Sequence, residues 1–351
     1  MRKILNFLTA FALFCGVLCF GIGGDNAGYA FAEERYVYIG GSPVGITLNA
    51  DGLIVTGIDD VNTDEGIRRP LADVDLKVGD VVKALDGKQT ENLYDFRQRI
   101  ARSEGNVTLT VERENRTFDL SVTPVEESAS GEKRLGLFLK EDVGGVGTLT
   151  FVTEDGAYAA LGHHVCDPET GLCASLQGGK LFDVEIKNVI RGEVGRAGGL
   201  QAEINRLSTP VGYNEKNTEI GIYGKWKSAE RGERIRVAAR GEARMGRAQV
   251  LTTLHGDTPE FYDIDIVKVV PQAESAEKGL VISVRDPRLI AEAGGIVQGM
   301  SGSPIVQNGA LVGAVTHVFV TDPTRGYGVH ARFMLDEAES VVTPEKMRDA
   351  A

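Results

Sequence analysis

A serine between glycines stands at Gly299-Met300-Ser301-Gly302-Ser303-Pro304, and the surrounding residue types are those that nucleophilic catalysis needs. Glycine at 299 and 302 opens backbone conformations closed to residues with a Cβ. In such a turn the amides of Gly299 and Ser301 converge on one point, where a tetrahedral intermediate would place its negative oxygen. A serine hydroxyl keeps its proton near neutral pH, so it also needs a base. The chain has five histidines, His163, His164, His255, His317 and His330. Ala159-Ala160-Leu161-Gly162 delivers His163 and His164 from a small-residue run into Val165-Cys166-Asp167-Pro168. His317 and His330 lie in strand-like segments and read as structural or supporting, and His255 reads as a loop residue. On a strand, adjacent side chains point to opposite faces, so only one of His163 and His164 is expected to reach the serine.

A Gly/Ser-rich turn alone is a bland feature, and the next residues argue for more. Pro304-Ile305-Val306 and Ala310 to Val315 are apolar runs separated by Gln307-Asn308-Gly309, a strong hairpin signal. A nucleophile turn leading directly into a hairpin is the arrangement of chymotrypsin-like double β-barrels, with the base upstream of the serine.

Leu161-Gly162-His163 with Asp167, Asp286-Pro287-Arg288-Leu289, and Gly294 through Ile305 closely resemble the stage-IV-B sporulation serine peptidases, as do Gly313 to Val320 and Gly326 to His330. The resemblance runs from about residue 36 to 340. It implies a catalytic triad of His163, Asp286 and Ser301. It also implies a regulatory enzyme that cuts itself near its N-terminus and then cleaves a membrane-bound regulator, triggering intramembrane proteolysis and late sporulation transcription. Two features depart from a simple transfer. His164 stands beside the expected base, and Asp286 precedes Ser301 by only 15 positions, so spacing alone would not choose it over Asp263 or Asp265.

The elements that position these residues follow from the rest of the chain. Arg2 and Lys3 precede an apolar run from Ile4 to Ile22, and Ala30-Phe31-Ala32 suits a cleavage site. Residues 1–32 are therefore expected to be a signal peptide or membrane anchor, with the remainder exported across the cytoplasmic membrane. By resemblance, the destination is the space between mother-cell and forespore membranes. About three hundred residues remain, enough for two domains. The net charge of −12 argues against a nucleic-acid partner. Abundant glycine and scarce helical periodicity predict a mainly β protein, in which an N-terminal PDZ domain precedes a chymotrypsin-like double β-barrel.

Residues 36–127 have a PDZ cadence, from Pro70 through Leu76-Lys77-Val78-Gly79-Asp80 to Asp86-Gly87, followed by an amphipathic helix within Asn92 to Arg102 and a closing hairpin. Val44, Gly45 and Ile46 resemble the loop that captures a peptide carboxylate through successive amides. Residues 128–134 read as a linker and 135–342 as the peptidase domain. Cys166 and Cys173 flank a turn-like segment and suit a disulfide in an exported protein. Free thiols are the main alternative. A zinc site with His163 and His164 lacks a separate ligand pair, and no metal or cofactor is expected. Two other functions stand beside the regulatory one: a general envelope-quality protease, and a non-catalytic PDZ adaptor with a degenerate peptidase domain.

Overall fold

The computed structural model describes residues 34–342 except 91, 115, 168, 172, 174, 175 and 230. The expected leader, residues 1–32, lies outside the described residues. From Arg35 onward the described residues form one compact unit. Its main strands, numbered here for the two barrels in chain order, are β1 (Arg35–Ile39), β2 (Pro43–Ile58), β3 (Leu137–Thr153), β4 (Ala157–Ala160), β5 (Leu176–Asp183), β6 (Gly212–Thr218) and β7 (Gly221–Trp226). They continue with β8 (Arg234–Val237), β9 (Gly246–Thr252), β10 (Glu260–Val269), β11 (Leu280–Val284), β12 (Pro304–Gln307), β13 (Ala310–Phe319) and β14 (Asp322–His330).

Strand pairing closes two rings of six. In the first, β2 pairs with β3, β3 with β4, β4 with β7, β7 with β6, β6 with β5, and β5 returns to β2. In the second, β9 pairs with β12, then β13, β14, β11 and β10 follow in turn, and β10 returns to β9. Closure removes unpaired edges and turns alternate side chains inward. Val44, Ile46, Leu48, Leu181 and Ile222 fill the first barrel, while Val250, Ile264, Ile282, Ile305 and Val315 fill the second. Strand β1 pairs with β3 of the first ring and with β8, which runs parallel to β13 of the second. The expected mainly β, double-barrel architecture is what the chain adopts.

The N-terminal boundary differs from the expected one at residue 36. Residues 35–48 are built into the peptidase fold, and β2 runs without a break from the first barrel into a smaller unit. That unit packs the helix Leu93–Ala101 and the hairpin Val107–Arg113/Arg116–Val122 around Leu53, Val82, Phe96, Leu109 and Leu135. Asn92 caps the helix by accepting from the amide of Asp95 at 2.8 Å, which fixes where the helix starts. A shallow groove beside the helix is lined by Leu93, Phe96, Ile100, Leu135, Leu137 and Leu139.

Val44, Gly45 and Ile46 do not form a carboxylate-binding loop. They lie inside β2, where Gly45 faces Val146 on one side and Phe182 on the other. A strand flanked on both sides has its amides committed to sheet bonds, so none converge on a ligand. The glycine is needed because a Cβ at 45 would lie 2.8 Å from both Ile204 Cγ1 and Val184 Cγ1. Gly45→Val is therefore expected to destabilise the first barrel by about 1–3 kcal/mol through overpacking, read as a lowered denaturation midpoint. A variant with an unchanged midpoint and lost peptide binding would restore the loop assignment.

Candidate active site

The Ser301 turn connects the helix Pro287–Ala293 to β12, and the first barrel holds it from below. Thr148 on β3 donates its amide to the Ser301 carbonyl at 2.9 Å and its hydroxyl to the Gly299 carbonyl at 2.8 Å. Thr150, two residues along and on the same face, donates to the Gly302 carbonyl at 2.7 Å. Both threonines are fully buried. Gly302, at φ +94°, is pressed so closely that a Cβ would lie 2.1 Å from the Thr148 carbonyl oxygen and 2.5 Å from the Leu161 amide nitrogen. No other residue type fits there. Ser303 is completely buried and bonds Thr252 Oγ1 at 2.9 Å, so it supports the turn.

The amides of this turn divide into two groups. Gln298, Met300, Gly302 and Ser303 donate to backbone carbonyls. Among the described residues, the amides of Gly299 and Ser301 have no protein acceptor. These two are the pair that the sequence places at an oxyanion hole. Gly299, at φ +96°, adopts a left-handed backbone that a Cβ would disfavour.

Leu161 and Gly162, with φ +69° and +76°, end β4 and turn the chain into the cavity beside Ser301. His163 and His164 thus lie in a turn rather than on a strand, and both line that cavity of about 460 Å³ together with Gly299, Ser301, Thr316 and His317. The expectation of opposite strand faces does not apply. His163 Nδ1 contacts the His164 carbonyl oxygen at 2.6 Å. Burial pushes the His163 imidazole below its ordinary value, partly offset by that contact. Asn217 clamps the following residue by accepting from the Val165 amide at 2.9 Å and donating to the Val165 carbonyl at 3.0 Å. The Cys166–Cys173 disulfide closes the same loop, and Lys140 holds its buried Asp167 at 2.6 Å.

Asp286 lies elsewhere in the fold. It caps the helix Pro287–Ala293, accepting from the Arg288 amide at 2.9 Å, from the Arg288 guanidinium at 3.0 and 3.1 Å, and from the Asp263 amide at 3.2 Å. Among the described residues none of its hydrogen bonds reaches His163, and it does not line the cavity. The Asp-Pro-Arg sequence explains the outcome, because aspartate before a proline at the first helical position is a helix-start signal. The Arg288 guanidinium holds the Asp286 carboxyl below the usual carboxylate range.

Sequence reasoning passed over Thr148 and read His317, which lines the cavity, as structural or supporting. The Thr148 contact joins residues about 150 positions apart, so no local pattern announces it. A larger hollow of about 700 Å³, bordered by Arg240, Gln272, His330 and Phe333, has no serine, threonine, cysteine or carboxylate in its lining. No group of histidine, cysteine and acidic residues suited to a metal ion occurs among the described residues.

With this geometry in place, comparison with known proteins gives a direct answer. Residues 131–335 match the SpoIVB peptidase S55 family. The chain belongs to that family. It is a serine peptidase. No curated protein matches the chain. Among solved structures, the peptidase is similar to the Rv3671c protease from M. tuberculosis in its active form, at 14% identity, TM-score 0.33, over 57% of this chain and 75% of that one. A serine-to-alanine mutant of Rv3671c from M. tuberculosis H37Rv, in its inactive form, is similar at 13% identity and TM-score 0.31, over 57% and 83%.

Two outcomes test this geometry. Thr148→Val, close in shape, leaves the Gly299 carbonyl without its donor. It is expected to cost about 1–3 kcal/mol of stability and to lower fluorophosphonate labelling of Ser301 roughly tenfold or more. Unchanged labelling would show that the seam does not align the turn. Asp286→Ala is expected to cost about 1 kcal/mol at neutral pH through the lost cap. Because the folded Asp286 carboxyl is depressed, its contribution is full above the ordinary carboxylate range and is lost as pH falls through the lowered value. The stability gap between wild type and Asp286→Ala should therefore close in acid, as followed by denaturant titrations across pH.

Proposed function

We propose that the chain is an exported regulatory serine endopeptidase in which Ser301 is the nucleophile and His163 the general base. The observation that carries this reading is the pair of unused amides at Gly299 and Ser301, on residues that line the same cavity as His163. Ser301 Oγ donates to the Thr316 carbonyl at 2.8 Å, so attack requires the side chain to exchange that bond for one to His163. The proton then passes from Ser301 to His163 as the oxygen bonds the peptide carbon, and the new oxyanion takes the two amides. His163 returns the proton to the leaving amine, and water repeats the sequence on the acyl-enzyme. His163 Nδ1–H donating to the His164 carbonyl would leave Nε2 as the basic nitrogen.

The substrate is inferred to be a membrane-bound regulator, cleaved after self-cleavage near the N-terminus, so that intramembrane proteolysis and late sporulation transcription follow. Family membership supports this role, as the apolar N-terminal run supports export and membrane association between the mother-cell and forespore membranes. Peptide recognition by a PDZ-type unit is retained, with the docking position moved from Val44–Ile46 to the groove between the helix Leu93–Ala101 and the Leu137–Lys140 stretch of β3. On its groove side, that stretch has no strand partner among the described residues, leaving its edge available for strand addition.

Ser301→Ala and His163→Ala are expected to lower proteolysis by roughly 10³-fold or more, while Ser303→Ala changes folding more than chemistry. Because burial holds His163 below the ordinary imidazole value of 6.5, fluorophosphonate labelling should plateau at neutral pH and fall with an acidic midpoint under that value. Persistent self-cleavage by Ser301→Ala in mass spectra of the purified chain would reject the nucleophile. Broad digestion of casein would favour envelope quality control, and absence of labelling in folded wild type would favour the adaptor.

A further inference from the structure

We propose that the peptidase cleaves after aliphatic residues, and that Val318 and Val320 set this preference together with Ile296. The inference deepens the reading of Ser301 as nucleophile and rests on it.

Two fixed groups orient a peptide at Ser301. The attacked carbonyl oxygen is drawn to the amides of Gly299 and Ser301, which have no protein acceptor among the described residues. The Thr316 carbonyl lies 2.8 Å from Ser301 Oγ and accepts its hydrogen at rest. A substrate N–H beside the nucleophile meets that same acceptor. The residue that ends in the attacked carbonyl also carries such an N–H, so the two anchors bracket a single residue. One anchor belongs to the run into the nucleophile turn and the other to β13. The side chain of the bracketed residue, on the acyl side of the scissile bond, therefore enters between residues 296–299 and residues 316–320. By competing for the Thr316 carbonyl, the incoming amide also favours the exchange that frees the Ser301 hydroxyl for His163.

Both walls of that space are aliphatic. Ile296 and Val297 line it from one segment, Val318 and Val320 from the other. Residues 195–200 tie the two together. The Gly195 amide donates to the Val320 carbonyl at 2.8 Å, the Gln298 amide to the Gly198 carbonyl at 3.0 Å, and the Leu200 amide to the Gln298 carbonyl at 2.8 Å. Ala197, between these ties, adds a small apolar group to the lining. Ile296 is pressed onto β14, since a Cβ at Gly326 would lie 2.7 Å from Ile296 Cδ1. It therefore forms a fixed floor, and no deep slot for a long side chain opens beneath it. Among the described residues, no aspartate, glutamate, lysine or arginine lines the cavity. A charged acyl-side residue would lose its water there without gaining an opposite charge. Valine, isoleucine or leucine gains by leaving water, and it covers Val320, which is 49% exposed.

The test uses the full chain and peptidyl phosphonate esters that label Ser301 and differ only in the acyl-side side chain. Each second-order labelling rate is divided by that of a plain fluorophosphonate, so that a general loss of activity cancels. Valine, isoleucine and leucine probes are expected to lead, with alanine about tenfold slower and lysine and glutamate roughly a hundredfold slower. Methylating the amide nitrogen of the valine probe should slow it about tenfold or more, because the Thr316 carbonyl loses its donor. Val318→Glu is expected to raise the lysine-to-valine ratio about tenfold or more, and Val318→Lys to raise the glutamate-to-valine ratio similarly. Opposite shifts from one position cannot arise from loosened packing. Val320→Glu, on a half-exposed side chain, should move the ratio in the same direction as Val318→Glu without disturbing a packed position. A wild type that prefers charged probes, or ratios unchanged in the Val318 and Val320 variants, would overturn the proposal. Labelling by either class of probe that survives Ser301→Ala would instead reject the nucleophile assignment beneath it.

Discussion

Thr148 donates twice to the turn that carries Ser301, through its amide to the Ser301 carbonyl and through its hydroxyl to the Gly299 carbonyl. Its own carbonyl accepts from Leu161, the residue that begins the turn into His163. One residue of the first barrel therefore fixes the backbone on which the nucleophile sits and the point at which the histidine loop departs. Thr150 and the closely packed Gly302 complete this seam. The two rings of six strands are rigid supports for it, because a closed barrel cannot slip in register without exposing its inward face.

The two free amides lie in peptide planes fixed from their carbonyl side. The Gln298 carbonyl, coplanar with the Gly299 amide, accepts from Leu200, and the Met300 carbonyl, coplanar with the Ser301 amide, accepts from Ser303. Preorganised donors of this kind need no rearrangement when negative charge develops, which is why they are effective where water is excluded. The histidine side is arranged differently. A loop clamped by Asn217, the Cys166–Cys173 disulfide and the Lys140–Asp167 pair carries His163 and His164 into the cavity. Lys140 belongs to the stretch of β3 that borders the groove of the smaller unit. One continuous strand thus passes from that groove to Thr148.

Short-range chemistry made part of this protein legible in its sequence. Gly299 to Pro304 specify a turn with exposed amides because glycine alone tolerates the backbone angles required, and Asn308-Gly309 specify the hairpin that follows. The seven-position spacing of Cys166 and Cys173 brings them across a turn, where they are bonded. Alternation of apolar residues marks the strands, and Asn92 to Arg102 marks a helix, because those periodicities depend on neighbours a few positions apart. Val44–Ile46 shows the limit of such reading. Small and β-branched residues suit both a carboxylate loop and a buried strand, and pairing with Val146 and Phe182 decides for the strand.

Asp286 shows the same limit at the site itself. Its sequence neighbours, Pro287 and Arg288, suffice to make it a helix cap, and local bonds to both the amide and the guanidinium of Arg288 occupy the carboxylate. Meanwhile Thr316 and His317 line the cavity, and the Thr316 hydroxyl ties this segment to the Glu277 carbonyl 39 positions away. The sequence by itself determined the nucleophile turn, the hairpin that follows it and the β character, since each depends on residues close along the chain. Tertiary structure alone decided the barrel to which residues 35–48 belong, the threonine seam beneath Ser301 and the groups that face His163. Those depend on contacts between distant segments, whose partners no local pattern can name.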